Sequence, residues 1–408
     1  MNILFLTQYY PPEFGAAAIC LSRLARSLAA DGHRVTVLTS MPNYPEGVIR
    51  PEYRRALWTH ERMDGVNVHR VWVYASPAKG ARSRLMNQFS FLLMAALRGS
   101  FLPQPDVLFV ESHPLFVTLA GGWLKRRLRA PIVLNVSDLW PESAIATGML
   151  SRDSLIVKVA EQVERWAYAD AAHIIAMSEG WRNGILKVYP HPERVSVIRN
   201  GVNLADFRSP TPEERAAARA KFDLNDTFTA IHAGNMSLTY DFDVILEAAA
   251  RLPKVRFLFA GGGSQLGKVE SGIASRGLKN VHLLGVLPHE QMPSVWAAAD
   301  VSLVTLANHS VAGGTLPAKM YESLATGTPL VAAIQGEGAA MIEAASAGIV
   351  VPQGDALAFA EAIQALAGDP ARLATHRAAA AAYARQHLSA ESVTMRHLAV
   401  FEHAAPGL

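Results

Sequence analysis

The chain has 408 residues, half of them hydrophobic, and one cysteine, Cys20, so a large core is available but a disulfide framework or thiolate metal cluster is excluded. Residues 1–205 carry 23 Lys and Arg against 16 Asp and Glu, while the remainder carries 15 against 19, within a net charge of +3. The positive charge of the N-terminal half indicates that this half alone binds an anionic surface or substrate. The alternative is an excess of solvated surface charge without a function.

The N-terminus, MNILFLTQYYPP, has no basic segment before its short apolar run. It is therefore predicted to form a buried first strand rather than a signal peptide. The most lipophilic helical segment, FSFLLMAAL at 89–97, is about half the length that spans a bilayer. We expect a cytoplasmic protein with no transmembrane helix.

Short runs rich in Val, Ile and Leu alternate with longer amphipathic stretches. In the first half the predicted strands are NILFLT, HRVTVLTS, VNVHRVWVYA, DVLFVES, APIVLNVSD and AHIIAMS. The pattern restarts after residue 205 with TFTAIHAG, VRFLFAGGG, NVHLLGVL, DVSLVTL, PLVAAI and GIVV. Alternating strands and helices predict an α/β protein with two doubly wound domains in tandem, each with a parallel sheet covered on both faces.

Amphipathic stretches between these strands predict helices, for example at residues 20–32. Charged, alanine-rich stretches at 213–221 and 369–387 are typical of surface helices, because alanine has the highest helix propensity. Between the halves, IRNGVNLADF supplies an Asn-Gly turn and no long apolar run. We therefore place a hinge near 200–206.

Small-residue loops follow several strands, at the sheet edge where open α/β proteins bind their ligands. After the first strand, Gly15 and Ala16 allow the backbone to approach a ligand closely, or form a plain tight turn. Gly234 and Asn235 follow the first strand of the second half. A third loop, AGGGSQ at 260–265, lacks the GxGxxG spacing, so nicotinamide dinucleotide binding is disfavoured.

The stretch GGTLPAKMYESLATGTP at 313–329 has the start and stop signals of a short helix. Pro317 suits the first helical turn, and Gly327 suits the position just past the end. The sequence therefore predicts a helix over 317–326 that begins from a Gly-Gly turn at the end of a strand.

Lys319 and Glu322 lie on one face of this helix. Taken alone, such an i,i+3 pair is a surface ion pair worth about 0.2–0.5 kcal/mol. Here the positive helix N-terminus and a first-turn lysine converge on one spot, which would hold a phosphate. Because a glutamate one turn further can accept hydrogen bonds from sugar hydroxyls, the pair predicts a nucleotide site.

The same stretch, KMYESLATGTPLVA, resembles the helix and following strand of retaining GT-B glycosyltransferases of family four, whose motif has two glutamates separated by seven residues. Further matches along nearly the whole chain are YYPPEFGAAA, DLWPES, RNGVNLADF, HAGN, GGGSQL and NVHLLGVLPHEQMPSVWAAADVSLVTL. DLWPES and the PAK before the glutamate look most like the branch that builds bacterial O-antigen, capsule and exopolysaccharide, including colanic-acid and N-acetylfucosamine transferases.

The resemblance implies a GT-B fold, with two Rossmann-like domains facing a central cleft. Residues 1–205 would form an acceptor-binding domain, and residues 206–387 would bind the nucleotide sugar. Residues 388–408 would contain a helix that returns to the first domain. Closure of the cleft by hinge motion would follow from this arrangement.

By the resemblance, Glu322 matches the second motif glutamate and would bind the ribose of a nucleotide diphosphate sugar, for which UDP is the expected nucleotide. The first motif glutamate falls at Gly314. Because that glutamate usually contacts hydroxyls of the donor sugar, its absence suits a deoxy or N-acetylated sugar.

A second departure concerns the diphosphate. Where the family often has an arginine and a lysine, this chain has Asn235 and Asp241. Lys319, the helix N-terminus and the turn that includes Thr315 would then carry more of the diphosphate's charge. No cofactor and no metal are expected.

Three further residues at strand ends of the first half are candidates. His113, in FVESHPLF, matches a histidine that many members place beside the transferred sugar, and otherwise is a satisfied histidine at a strand end. Asp138 and Glu142, in SDLWPES, would position the acceptor. Retaining enzymes of this fold do not clearly use double displacement, so front-face attack by the acceptor hydroxyl is expected, with Lys319 stabilising the leaving diphosphate.

The expected acceptor is a lipid-linked saccharide, and no nucleic-acid partner is expected. Residues 79–102 combine Lys79, Arg82, Arg84 and Arg98 with a dense apolar face, the composition of a helix on an anionic bilayer surface. The alternative is a buried core helix. Peripheral attachment to the inner face of the cell membrane is therefore a hypothesis.

Other classes of protein remain open at this point. A nucleotide-sugar 2-epimerase of the same fold would need a donor but no acceptor. A two-lobed periplasmic sugar-binding protein would be non-catalytic, and a dehydrogenase would need a better dinucleotide fingerprint. The departures at Gly314 and Asn235 also admit an inactive transferase.

Overall fold

The computed structural model describes residues 1–13, 16–44, 46–78, 80–146, 148, 150–307 and 316–405. These residues form two compact units. Unit 1 comprises Met1–Asn200 and the C-terminal segment from Ala390, and unit 2 comprises Gly201–Ser389. Among the helices in these ranges, none is long and apolar enough to cross a membrane.

One mostly parallel sheet organises unit 1. In its described part the strands are β1 (Asn2–Leu6), β2 (Arg34–Ser40), β3 (Trp58–Met63), β4 (Val66–Val71), β5 (Val107–Glu111), β6 (Ile132–Val136), β7 (His173–Ala176) and β8 (Val195–Val197). Their order is β3-β4-β2-β1-β5-β6-β7-β8. Neighbours run parallel except β3, which pairs antiparallel with β4 at the edge. Successive strands are added towards one edge of the sheet on the β1 side and towards the other edge on the β5 side. This change between β1 and β5 creates a crevice at their carboxyl ends.

Helices cover both faces of this sheet. They are α1 (Ala16–Ala30), α2 (Ala81–Gly99), α3 (Val117–Leu128), α4 (Glu142–Ala146), α5 (Leu155–Asp170) and α6 (Glu179–Val188). Helix α1 begins at Ala16, four residues before the predicted stretch 20–32, because the three alanines extend it. Ser154 and Ser178 cap the N-termini of α5 and α6 with their side chains.

Unit 2 repeats the architecture with a fully parallel sheet. Its described strands are β9 (Thr229–Ala233), β10 (Arg256–Ala260), β11 (Val281–Gly285), β12 (Val301–Thr305), β13 (Leu330–Ala333) and β14 (Gly348–Val351). Their order is β11-β10-β9-β12-β13-β14. Strand β9 lies where the order reverses, so a ligand crevice is expected beyond its carboxyl end.

The helices of unit 2 are α7 (Pro212–Lys221), α8 (Phe242–Arg251), α9 (Leu266–Arg276), α10 (Met292–Ala298), α11 (Ala318–Ala325), α12 (Glu337–Ala344), α13 (Ala356–Gly368) and α14 (Pro370–His387). Local sequence explains their starts. Helix α7 begins with a capping box formed by Thr211 and Glu214, with proline at its first position. Asp241 caps α8 by accepting hydrogen bonds from the backbone N–H groups of Asp243 and Val244.

The last helix, α15 (Ala390–Ala404), belongs to unit 1. Its Phe401 is fully buried, with its ring centroid 5.2 Å from that of Phe109 in β5. Phe109 also contacts Phe5 of β1, at 4.8 Å between ring centroids. The C-terminal helix therefore completes the core over the central strands of unit 1.

Candidate active site

In unit 2 the loops after β9 and β10 pack against each other through their backbones. Gly234 and Gly261 have φ angles of 113° and 144°. A Cβ atom on Gly261 would lie 1.9 Å from the carbonyl oxygen of Gly234, and one on Gly263 would lie 2.4 Å from Asn235 Oδ1. Glycine is therefore required at these positions, and Gly234 and Asn235 remain exposed at the carboxyl end of the sheet.

Helix α11 begins at the same edge of the sheet. Pro317 precedes its first residue in an extended conformation, and no side chain among the described residues caps the helix N-terminus. Gly327 follows the helix with a φ of 67°, as the sequence predicts. Met320 and Leu324 are fully buried, which fixes the opposite face of α11 on the core. An uncapped N-terminus of this kind favours an anionic ligand.

Lys319 is a buried residue and not part of a surface ion pair. Its Nζ atom lies 3.0 Å from Nε2 of His232 in β9, and 3.8 Å from the centroid of the Tyr240 ring. The position above an aromatic face stabilises a cation. Lys319 Cε also lies directly beneath the loop, 3.7 Å from where a Cβ on Gly234 would be.

Burial dominates the electrostatics of this pair. Desolvation lowers the pKa of Lys319 well below its ordinary value of 10.5, and the charge of Glu322 opposes this to a smaller extent. Desolvation, with a further contribution from Lys319, also lowers the pKa of His232 well below 6.5. A negative charge brought close to Lys319 would therefore favour its protonated form.

Glu322 lies one turn further along α11 and is partly buried. Its Oε2 atom accepts a hydrogen bond of 3.0 Å from the indole Nε1 of Trp296 in α10. The bond fixes the orientation of the carboxylate, whose oxygens can accept hydrogen bonds from hydroxyl groups.

Three of the residues predicted to bind the donor, Gly15, Gly314 and Thr315, lie outside the described residues. Ala16 is the first residue of α1, and its side chain is likewise outside the description. The described part of the predicted donor site therefore consists of Gly234, Asn235, Lys319 and Glu322, all in unit 2.

In unit 1, His113 and Asp138 come together beyond β5 and β6. Their Nδ1 and Oδ2 atoms are 3.9 Å apart, and the His113 side chain is 43% exposed. The Nδ1 atom itself is buried and has no hydrogen-bond partner among the described residues. Desolvation lowers the pKa of His113, and the charge of Asp138 opposes this effect.

Glu142 stands apart from this pair. It begins α4, is largely exposed and forms a bidentate ion pair with Arg152, at 3.0 Å for both oxygens. Asp138 instead accepts a hydrogen bond of 2.9 Å from the hydroxyl of Ser143. Across the described ranges no cluster of His, Cys, Asp and Glu has the arrangement of a metal site.

Residues that the sequence analysis missed surround both groups. His232 and Trp296 support Lys319 and Glu322, and buried Glu111 lies beside His113. A histidine in the apolar run TAIHA and a glutamate ending the run VLFVE are polar residues in otherwise fully buried strands. A buried polar residue inside an apolar run is the sequence signal by which His232 and Glu111 could have been found.

Comparisons with known proteins find relatives of both halves of the chain. Residues 15–201 match the profile of the Glycosyl transferase 4-like domain, and residues 227–369 match that of Glycosyl transferases group 1. The chain is 25% identical over 340 residues to the colanic acid biosynthesis glycosyl transferase WcaI of Escherichia coli K12, covering 80% of this chain and 82% of that protein. It is 27% identical over 427 residues to D-inositol 3-phosphate glycosyltransferase 1 of Catenulispora acidiphila, covering 97% and 92%.

Solved structures share the fold. Anabaena HepE in complex with UDP and glucose superposes with a TM-score of 0.75 at 20% identity, covering 98% of this chain and 99% of that one. WaaG, a glycosyltransferase involved in lipopolysaccharide biosynthesis, superposes with a TM-score of 0.72 at 18% identity, covering 99% and 100%. With profiles matched in both units and this shared architecture, the chain belongs to the family-four glycosyltransferases of the GT-B fold.

Proposed function

We propose that this enzyme transfers a sugar, with retention of configuration, from a UDP-linked donor to a lipid-linked saccharide during bacterial surface polysaccharide assembly. The observation that carries the donor assignment is the start of α11. There Lys319 lies beneath the Gly234 loop and Glu322 is oriented by Trp296, at the carboxyl end of the sheet.

The chemistry of this edge fits a nucleoside diphosphate. The diphosphate would meet the α11 N-terminus and the field of Lys319, and the ribose hydroxyls would donate to Glu322. HepE, a protein of the same fold, has been crystallised with UDP and glucose, which supports uridine as the nucleoside. The expected transferred sugar is an N-acetylated or deoxy sugar.

In the proposed reaction the acceptor oxygen attacks the anomeric carbon from the face that the diphosphate leaves. The bond from this carbon to the phosphate oxygen breaks, and the acceptor proton passes to the departing diphosphate. Lys319 and the helix N–H groups stabilise the charge that develops on the leaving group. His113 would contact the transferred sugar, and Asp138 and Glu142 would orient the acceptor.

The outer face of α2 supports a lipid-linked acceptor. Met86, Phe89, Leu93 and Leu97 recur at helical spacing and are all exposed, Leu93 to 67%, and Phe101 continues the row at 73%. Trp123 of α3 is exposed beside them, with its Nε1 donating to Ser100 Oγ at 2.9 Å. A surface helix normally turns such residues inwards, so this apolar row needs a partner.

The charge around this row favours an anionic bilayer as the partner. Arg82 and Arg84 are exposed at the start of α2, and Arg98 lies in its last turn; Lys79 is outside the described residues. Basic residues around an exposed apolar row are typical of a helix that lies in the headgroup region of a membrane. The named functions of WcaI and WaaG, in colanic acid and lipopolysaccharide biosynthesis, fit an acceptor held at such a surface.

Vesicle flotation tests the membrane assignment. The wild-type protein should float with phosphatidylglycerol vesicles and not with phosphatidylcholine vesicles, and Leu93→Glu with Leu97→Glu should abolish flotation. Leu357→Glu changes an exposed leucine of unit 2 and should leave flotation intact. Equal flotation of all three proteins, or of none, would exclude α2 as the attachment site.

Thermal shift with UDP, GDP, ADP and dTDP tests the donor site, because a ligand that binds only the native state raises its stability. We expect a shift with UDP that is lost in Glu322→Ala and Lys319→Ala. The exposed residues Glu343 and Lys279 provide matched alanine controls that should keep the shift. A shift with none of the four nucleotides would refute the donor assignment, and epimer formation from the sugar nucleotide alone would favour the epimerase.

A further inference from the structure

Glu111 is the last residue of β5, and its side chain is 98% buried in an apolar sheet. The Oε2 atom accepts a hydrogen bond of 2.6 Å from Asn135 Nδ2 in β6. The Oε1 atom accepts from the hydroxyl of Ser137, just beyond β6, and from the backbone N–H of His113 at 3.3 Å. One carboxylate therefore joins the chain segments that follow two neighbouring strands.

These segments carry His113 and Asp138. His113 is two residues beyond Glu111, and Asp138 directly follows Ser137. Asp138 is also held from the other side by Ser143. Glu111 thus bonds to the chain on both sides of the His113 Nδ1 and Asp138 Oδ2 atoms, which are 3.9 Å apart.

Burying a carboxylate here is costly, and its hydrogen bonds offset the cost only in part. Desolvation raises the pKa of Glu111 to about 7, although Ser137, Asn135 and the His113 backbone favour the charged form. If this position served packing alone, an apolar side chain would serve it at lower cost. Two atoms beside it, Ser112 Oγ and Asn135 Oδ1, are buried without a hydrogen-bond partner in the described part of the chain. A ligand hydroxyl would satisfy such atoms.

We propose that Glu111 is a positioning residue that fixes the His113 and Asp138 segments at the separation needed to receive the saccharide hydroxyls. The inference rests on the proposed function for the roles of His113 and Asp138. It assigns Glu111 no direct contact with substrate.

The test is a double-mutant cycle read by the pKa of His113. NMR titration of protein labelled at histidine Cε1, with the signal assigned from His113→Gln, gives this pKa. In the wild-type protein, Asp138→Asn should lower it by about 0.5 or more, because the nearby carboxylate favours the imidazolium. In Glu111→Gln, where an amide cannot accept all three bonds, the same Asp138 substitution should have less than half that effect.

An equal effect of Asp138→Asn in both backgrounds would overturn the proposal, because a merely structural Glu111 leaves the pair where it is. Asp153→Asn, an exposed change nearby in the sequence, should move the His113 pKa in neither background. If Glu111→Gln does not fold, Ser137→Ala can take its place, because it removes one of the three bonds. The change in the His113 pKa caused by Asp138→Asn should then also be smaller than in the wild-type background. Full sugar transfer by His113→Ala would remove the proposed role of His113 while leaving the measured coupling intact, so the two failures are distinguishable.

Discussion

Lys319 Nζ lies 3.0 Å from His232 Nε2 and 3.8 Å from the centroid of the Tyr240 ring. The two residues are far apart in the sequence, on β9 and α11, and meet only because parallel strands bring their carboxyl ends to one edge. The contact places a desolvated amine under a glycine loop. Burial of the Lys319 amine therefore lowers the stability of the free protein, whereas its positive charge favours the binding of an anionic ligand.

Replacing Lys319 with methionine should stabilise the free protein. A lysine whose folded pKa is lowered binds fewer protons when folded, so it reduces the free energy of unfolding at neutral pH, and this cost disappears as pH rises towards 10.5. We expect Lys319→Met to raise the free energy of unfolding by about 1 kcal/mol or more near neutral pH, measured by urea denaturation. The gain should shrink at alkaline pH, and the exposed change Lys279→Met should show neither effect. A destabilised Lys319→Met would contradict this account.

The same lysine should couple UDP binding to proton uptake. A diphosphate near Lys319 favours the charged amine and raises its pKa, whereas His232, Tyr240 and Glu322 are the titratable groups that already surround it. UDP affinity should therefore fall as pH rises through the lowered pKa of the free lysine. Calorimetry over a series of pH values below 10.5, in two buffers of different ionisation enthalpy at each pH, should detect fractional proton uptake where the free lysine is partly neutral. Lys319→Arg stays protonated and should bind UDP without it; equal uptake in both proteins would assign the proton elsewhere.

The sequence predicted the central strands of both sheets because strands buried on two faces are almost wholly apolar. It missed β3 and β8. Strand β3, WTHERM, is an edge strand with alternating exposure, and β8 has only three residues. Neither carries the continuous apolar pattern by which the other strands were recognised.

Only part of the candidate site could be predicted from the sequence, for a related reason. Gly234 and Glu322 stand out locally, in a strand-end loop and on a helix with clear start and stop signals. His232 and Glu111 are single polar residues within buried strands, and their partners lie on other elements. Pattern analysis cannot tell such a residue from a satisfied core residue, because the distinction depends on tertiary contacts.

Gly261 is required by close packing and not by chain flexibility. A Cβ there would lie 1.9 Å from Gly234 O, at a φ of 144° that L residues rarely adopt. Gly261→Ala should reduce the free energy of unfolding by roughly 2–4 kcal/mol and abolish the UDP-induced thermal shift. Gly267 in α9 has no neighbour within 4 Å of its ideal Cβ, so Gly267→Ala should be neutral or stabilising by up to about 1 kcal/mol. Similar behaviour of the two variants would show that the loops can separate freely.

Asp300 joins several elements of unit 2. Its side chain, 11% exposed, pairs with Arg215 at 2.6 Å, with Arg219 at 3.2 Å and with Arg377 at 3.2 Å, and accepts from the Thr229 N–H at 2.9 Å. Asp300→Asn would leave the three guanidinium groups without their counter-charge and should cost about 3–5 kcal/mol in urea denaturation. Asp243, which forms more exposed ion pairs with Lys268 and Arg276, is the matched control, and its Asn variant should cost about 1 kcal/mol or less. Equal losses would mean that burial of the Asp300 cluster adds nothing.

Glu111 should make stability depend on pH in the unusual direction for a carboxylate. Its folded pKa of about 7 exceeds the ordinary value of 4.5, so the folded protein binds more protons between these values and loses stability as pH rises through them. Glu111→Gln removes this cost, which amounts to about 3 kcal/mol once pH exceeds 7. Relative to wild type, the variant's free energy of unfolding should therefore rise by about this amount between about pH 4.5 and pH 8. Glu164 has a similarly raised pKa but is present in both proteins, so its contribution cancels. A difference between variant and wild type that is constant with pH would mean that the carboxyl of Glu111 stays ionised throughout.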